Sequence, residues 1–242
     1  MGELLEMPTD WTRALAIVAH PDDMEYGAAA AVAAWTAGGR EVAYLMVTRG
    51  EAGIDTIPPD ECAPLREAEQ RASAEVVGVG SVEFLDHRDG VVEAGVPLRR
   101  DLAAAIRRHR PELVVTLNPR ENFQPGGWNS ADHRAVGESV LDAVNDAGNR
   151  WIHTDLLEQG LEPWPGVRWA ALFGSPEASH AVDTTATMEI GIASLVEHRA
   201  YISALSDTDP ETYARELLTA FAAMGGERFG TRYAATFELV SF

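Results

Sequence analysis

The sequence predicts an α/β fold, a Rossmann-like mostly parallel sheet with helices on both faces, and three observations predict it. Short apolar runs without polar alternation recur at 14–19, 42–47 and 113–117, as strands covered on both faces require. Amphipathic helical patterns lie between these runs. Strand and helix patterns alternate through roughly the first 150 residues, which implies right-handed crossovers and a ligand crevice at the carboxyl ends of the strands. Functional side chains are therefore expected just after each strand.

Taken in order, the first strand leads into an alanine-rich helical pattern at 24–37. The pattern at 64–77 sets Leu65, Ala68, Ala72 and Val76 on one face and pairs Glu67 with Arg71 one turn on. A strand at 82–85 and a helix at 97–108 follow. Residues 118–129, rich in Pro, Gly and Asn, read as a long loop above the crevice, ahead of a helix at 131–147. After an irregular stretch at 149–168 come an apolar run at 169–173, helical stretches at 185–204 and 210–224, and an alternating strand at 233–240. The chain beyond residue 168 is too short to require its own core, so one domain over 1–242 is expected.

Composition narrows the function. The chain has 242 residues, 46% hydrophobic and 24% charged, enough for one sizeable globular core. All 19 basic residues are arginines, which excludes Schiff-base and P-loop lysine chemistry. The net charge of −19 repels phosphate backbones and anionic lipid, so neither nucleic acid nor a membrane is an expected partner. The expected partner is a small molecule, with a homo-oligomer left open. The longest uncharged stretch, 26–39, is shorter than the ~20 apolar residues a membrane span needs. Cys62 is the single cysteine and the first eleven residues are acidic without a positive charge, which points to the cytoplasm.

Directly after the first strand stands Ala19-His20-Pro21-Asp22-Asp23-Met24-Glu25-Tyr26-Gly27. A catalytic zinc takes three His or Asp/Glu ligands at ~2.0–2.2 Å and keeps a position for an exchangeable water. His20 and Asp23 supply two ligands, and Asp22, pointing elsewhere, is left to act as general base. A capping box, with Asp22 as N-cap and Glu25 three residues on, fits the same residues. His133 is the candidate third ligand, because Val136, Val140 and Val144 continue its helical face toward the sheet; a core histidine fits that face too. Asp132 beside it is a candidate catalytic carboxylate that orients an imidazole, or an acid favoured in a first helical turn. Both motifs fall at strand-to-helix junctions of one sheet, which favours the metal reading.

Further candidates line the other strand ends. Arg49 offers a fork for a hydroxyl pair or carboxylate and Glu51 follows it, with a loop ion pair as the alternative. Asp89 is a candidate for sugar hydroxyls or part of a solvated turn at Asp89-Gly90. Trp128 is the loop tryptophan placed nearest a candidate ligand, suited to stack on a sugar ring. His180 follows a strand end. His87, His109, His153 and His198 carry no spacing argument.

His20-Pro21-Asp22-Asp23, Asp132-His133-Arg134-Ala135, Thr48-Arg49-Gly50-Glu51-Ala52-Gly53, Arg66-Glu67-Ala68-Glu69 and Ser179-His180-Ala181-Val182-Asp183 together resemble the LmbE/PIG-L family of zinc-dependent de-N-acetylases, over residues 15–198. The resemblance implies a Rossmann-like sheet, Zn2+ held by His20, Asp23 and His133, and Asp22 as general base. It also implies N-acetyl removal from an amino-sugar compound, most often an N-acetylglucosaminyl one. Two positions depart from the pattern. Ser130 stands where many relatives carry a histidine that stabilises the tetrahedral oxyanion, and losing such a donor typically costs ~2.7–4 kcal/mol. The Ser130 hydroxyl is a substrate-binding candidate, yet Asn129 or Ser130 is also the expected helix cap, and His180 is a possible replacement donor. Met24 stands where many relatives carry glutamate and is expected to be packing. Two other functions compete: a sugar-binding member that has lost turnover, and a metal-dependent phosphoesterase, which would want a second ion ~3.5–4 Å away. A dinucleotide oxidoreductase is set aside, because Gly78-Val79-Gly80 follows a helix and lacks the third glycine.

Overall fold

The three apolar runs become the middle of an eight-stranded sheet in the computed structural model, which describes residues 3–123 and 126–242. Its strands are β1 (Leu5–Glu6), β2 (Arg13–Val18), β3 (Glu41–Met46), β4 (Ser81–Phe84), β5 (Leu113–Leu117), β8 (Trp169–Phe173), β9 (His180–Asp183) and β10 (Ala234–Ser241). A separate two-stranded ribbon, β6 (Asn122–Phe123) and β7 (Gly127–Trp128), stands in the loop after β5. The helices are α1 (Asp23–Gly27), α2 (Ala29–Ala37), α3 (Pro59–Val76), α4 (Val96–His109), α5 (Ala131–Gly148), α6 (Asp155–Glu158), α7 (Met188–Val196), α8 (Arg199–Leu205) and α9 (Pro210–Phe229).

Strands β4, β3, β2, β5 and β8 run parallel in that order. The order reverses between β2 and β5: one connection leads outward to β3 and β4, the other to β8. A crevice opens at such a reversal, outside the strand ends. Residues Leu15 to Val18 and Leu113 to Val115 are fully inaccessible to water, which is why neither run alternates. Helix α4 packs on α5, while α7 packs against α2, α3 and α9. None of the described helices is long and apolar enough to cross a membrane.

The structure revises several sequence boundaries. The pattern at 24–37 is two helices, because Ala28 departs from helical geometry at φ −140° and Gly27 tucks under the Phe173 ring, where a Cβ would overlap it. Helix α3 starts earlier, at Pro59, and contains Pro64; the carbonyl left without its usual donor is that of Asp60, in the exposed first turn. Its inward face is also different. Cys62, Arg66, Glu69, Gln70, Ser73 and Ala74 are buried, while Leu65, Ala72 and Val76 are half-buried and Ala68 is exposed. The stretch at 185–204 divides at Glu197 and His198, and α9 continues to a left-handed cap at Gly230. Strand β10 is antiparallel to both β8 and β9 and lies between them, and β1 closes the edge beside β9.

Candidate active site

Strand β2 delivers His20 and strand β5, through the loop after it, delivers α5 with His133, so the two imidazoles meet over the reversal point. Their ring centroids are 5.2 Å apart. The Asp23 carboxylate joins them: Oδ1 lies 3.0 Å from His133 Nε2, and Oδ2 lies 3.6 Å from His20 Nδ1. Ligands of one tetrahedral ion with bonds of ~2.0–2.2 Å sit about 3.4 Å apart, so these three donors have the right mutual spacing.

The remaining ring nitrogens are spoken for, and this fixes which one faces the centre. His20 Nε2 lies 3.0 Å from Asp89 Oδ1 and 3.2 Å from Asp132 Oδ2, so its proton belongs there and Nδ1 is the free donor. Asp132 is itself pinned by the backbone N–H groups of Gly90 at 2.7 Å and Val92 at 3.0 Å, and Asp89 by Ala52 N–H at 2.8 Å. On the other ring, His133 Nδ1 lies 3.1 Å from Asn129 Oδ1. The Asn129 amide nitrogen donates to the carbonyls of Asn118 and Arg120, which sets the orientation of the amide, so Oδ1 accepts from Nδ1–H and Nε2 faces the centre.

Asp22 sits beside this triad in a strained turn, at φ 91°, where residues other than glycine are uncommon. Three contacts hold it. Its N–H donates to Gln70 Oε1 at 2.8 Å, its carboxylate accepts from Arg66 at 2.7 Å, and the Pro21 carbonyl accepts from the same guanidinium at 2.6 Å. Arg66 also donates to the Gly50 carbonyl and stacks 4.1 Å over Tyr201. A Cβ on Gly50 or Gly53 would overlap the guanidinium, which accounts for both glycines after β3. The Asp22 side chain makes no capping bond, so the capping box is replaced by an ion pair. Glu25 instead turns inward, accepting from Gln70 at 3.1 Å and Ser73 at 2.7 Å, with His198 Nε2 3.5 Å from its other oxygen. Met24 is fully buried, as packing requires.

Electrostatics separates the two adjacent aspartates. Burial pushes the Asp22 carboxyl up to about 6, with Arg66 pulling it the other way and Asp23 adding to the rise. Burial would raise Asp23 too, but His133 and His20 outweigh it and hold that carboxyl well below the usual range. Burial disfavours the charged form of His20, and Asp132, Asp23 and Asp89 more than offset it, so its value is raised. Four carboxylates around two imidazoles, with Arg66 as counterion, form a basin that suits a divalent cation.

The site opens into a cavity of about 1010 Å³ lined by His20, Asp22, Asp23, Arg66, Asp89, Ser130 and His133 among others. Ser130 is the N-cap position of α5 yet its side chain makes no capping bond, contrary to expectation, and it faces the cavity. Arg49, Glu51, Trp128 and His180 are not among the lining residues. The Arg49 guanidinium is occupied by Glu67 and by Asp86, at 2.8 Å from the latter. Glu51 accepts from Asp89 N–H at 2.9 Å, and Asp89 supports His20. Trp128 is 68% exposed on the ribbon with Arg134 over its ring, and His180 Nδ1 lies 2.9 Å from Ser179 Oγ. The sequence reading missed the roles of Arg66, Gln70 and Ser73; their spacing of four and three residues on α3, all polar and all inward, was the available signal.

A family model described as PIG-L, GlcNAc-PI de-N-acetylase, matches residues 15–144, more than half of the chain. The chain belongs to the PIG-L family. Among its PIG-L relatives, the diacetylchitobiose deacetylase of Thermococcus kodakarensis is 26% identical, over 91% of this chain and 81% of that protein. The 1D-myo-inositol 2-acetamido-2-deoxy-alpha-D-glucopyranoside deacetylase of Mycolicibacterium vanbaalenii is 30% identical, over 81% of this chain and 82% of that protein. The solved structure of N,N'-diacetylchitobiose deacetylase from Pyrococcus horikoshii superposes with a TM-score of 0.85 at 27% identity, covering 96% of this chain and 85% of that one. The PIG-L match spans His20, Asp23 and His133, whereas α7, α8, α9 and β10 lie outside it.

Proposed function

We propose that the chain is a zinc-dependent hydrolase that removes an N-acetyl group from an amino-sugar compound. The convergence of His20 Nδ1, Asp23 and His133 Nε2, with Asp22 held beside them, is the observation that carries this reading. Two imidazoles and a carboxylate are the donor set of a catalytic zinc. When bound, the ion supplies Lewis acidity toward the acetyl carbonyl and the attacking water.

The protein's own residues do the rest. Asp22, raised to about 6, takes a proton from the water as it attacks and returns it to the departing nitrogen, so that acetate and the free amine result. Arg66 and Gln70 hold Asp22 in its strained conformation, and Asp132 and Asp89 fix the His20 tautomer. Ser130, on the cavity wall and free of capping duty, is the donor suited to the developing oxyanion. A two-ion phosphoesterase is disfavoured: the second group that could hold an ion, His20, Asp89 and Asp132, uses the opposite nitrogen of the same His20 ring, which would set two ions farther apart than the ~3.5–4 Å such enzymes need.

Acetate release from a panel of N-acetylglucosaminides, with metal content measured alongside, tests this. Turnover that Asp22→Asn abolishes with metal retained supports it. A fully metallated protein that releases no acetate from any of them contradicts it and favours a binding protein.

A further inference from the structure

The cavity does not end at the metal triad. The same space runs on to helices α7 and α9, where Met188, Leu218, Phe221, Ala222, Met224 and Gly225 form its wall. Leu218, Phe221, Ala222 and Gly225 recur at the spacing of one helical face, so α9 turns an apolar stripe toward the space. At 1.5 Å per residue that stripe is about 10 Å long. Met188 and Leu218 form a buried floor, but Phe221 and Met224 remain 44% and 45% exposed. Large apolar side chains left open to water inside a concave wall gain by being covered with apolar surface.

We propose that this wing receives an apolar aglycone, so that the substrate is an N-acetylated amino-sugar glycoside carrying an alkyl or aryl group. The inference rests on the amino-sugar reading above and names which such compounds fit. A second sugar is the competing occupant, since Thr184, Glu227, Arg228 and Thr236 also line the cavity. It is the poorer one, because the α9 stripe of Leu218, Phe221, Ala222 and Gly225 offers sugar hydroxyls no polar side-chain atom, and Arg228 already donates to the Ala178 carbonyl at 2.9 Å. A second copy of the chain is a poorer occupant too: the stripe forms the wall of a cavity that also holds the reacting groups, and the buried floor residues continue the core between α7 and α9.

The test is equilibrium binding of deacetylated glycosides, which the chain does not consume, to the full-length protein. The hexyl glycoside of glucosamine binds about tenfold tighter than the methyl glycoside, a ratio on the order of burying two methylenes. Phe221→Ser and Met224→Ser each lower that ratio toward one. Equal binding of the two glycosides overturns the proposal, as does chitobiose binding as tightly as the hexyl glycoside, which would assign the wing to a second sugar. Conversion of an oligomeric protein to a monomer by Phe221→Ser would assign the face to a second copy and overturn it as well. Acetate release is read separately, so tight hexyl binding without turnover leaves the wing standing and removes the hydrolase reading.

Discussion

The Arg66 guanidinium donates to the Asp22 carboxylate at 2.7 Å with both side chains almost wholly buried at the cavity wall. Removing one member of a buried pair leaves the other charge unpaired, which costs about 3–5 kcal/mol. Arg66→Met therefore lowers both stability and kcat, the latter because Asp22 loses the contact that holds its turn. Adding Asp22→Asn to Arg66→Met restores part of the stability and none of the activity. Chemical denaturation of the two single variants and the double variant checks this; strictly additive losses would show that the pair is not coupled.

Asn129 acts on the centre through His133. Its amide oxygen lies 3.1 Å from His133 Nδ1, and orienting partners of this kind are worth about 10- to 100-fold in metal affinity. Asn129→Ala is expected to weaken zinc by that factor in competition with a chromophoric chelator. Unchanged affinity would mean that the ring is held by something else.

Gly137 lies one helical turn after His133, where a Cβ would come within 2.6 Å of the Leu117 carbonyl and 3.1 Å of the Pro119 nitrogen. Backbone atoms cannot rotate away, so Gly137→Ala pushes α5 off the end of β5. Overpacking of this kind costs about 1–3 kcal/mol, and here it also shifts His133 and weakens metal binding. Gly80→Ala is the control, since a Cβ at Gly80 meets nothing within 4 Å. Denaturation and zinc affinity should both fall for Gly137→Ala alone.

His198 gives a pH signature of stability. Burial pulls its value down, but the Glu25 carboxylate 3.5 Å away, with the charges of Asp22 and Glu69 behind it, more than compensates, and the net shift is upward from 6.5. A raised value in the folded state stabilises the protein fully below 6.5, and the contribution fades as pH climbs through the folded value. Urea midpoints of the wild type and His198→Gln should therefore draw together as pH rises above 6.5. A gap that widens with pH would show His198 buried in its neutral form.

The central strands and the triad were legible because local rules coincide there. Leu15 to Val18 are covered on both faces and so lack alternation, and His20, Asp22 and Asp23 sit together at a strand end. Helix α3 departs from its sequence pattern because its inward face is largely polar. The site instead draws Arg66, Gln70 and Ser73 inside to hold Asp22 and Glu25, and Leu65 and Ala72 are left half-buried. His198 carried no local signal, since its partner Glu25 meets it only through the packing of α7 and α8 near α1. The same holds for β10, whose place between β8 and β9 depends on pairing across the chain.

Zinc stoichiometry of the loaded and desalted protein bears most directly on the whole account. One ion per chain is predicted, retained by Asp22→Asn and lost by both Asp23→Ala and His133→Ala. An ion that survives those two substitutions, or departs with Asp22→Asn, would contradict a centre built on His20, Asp23 and His133.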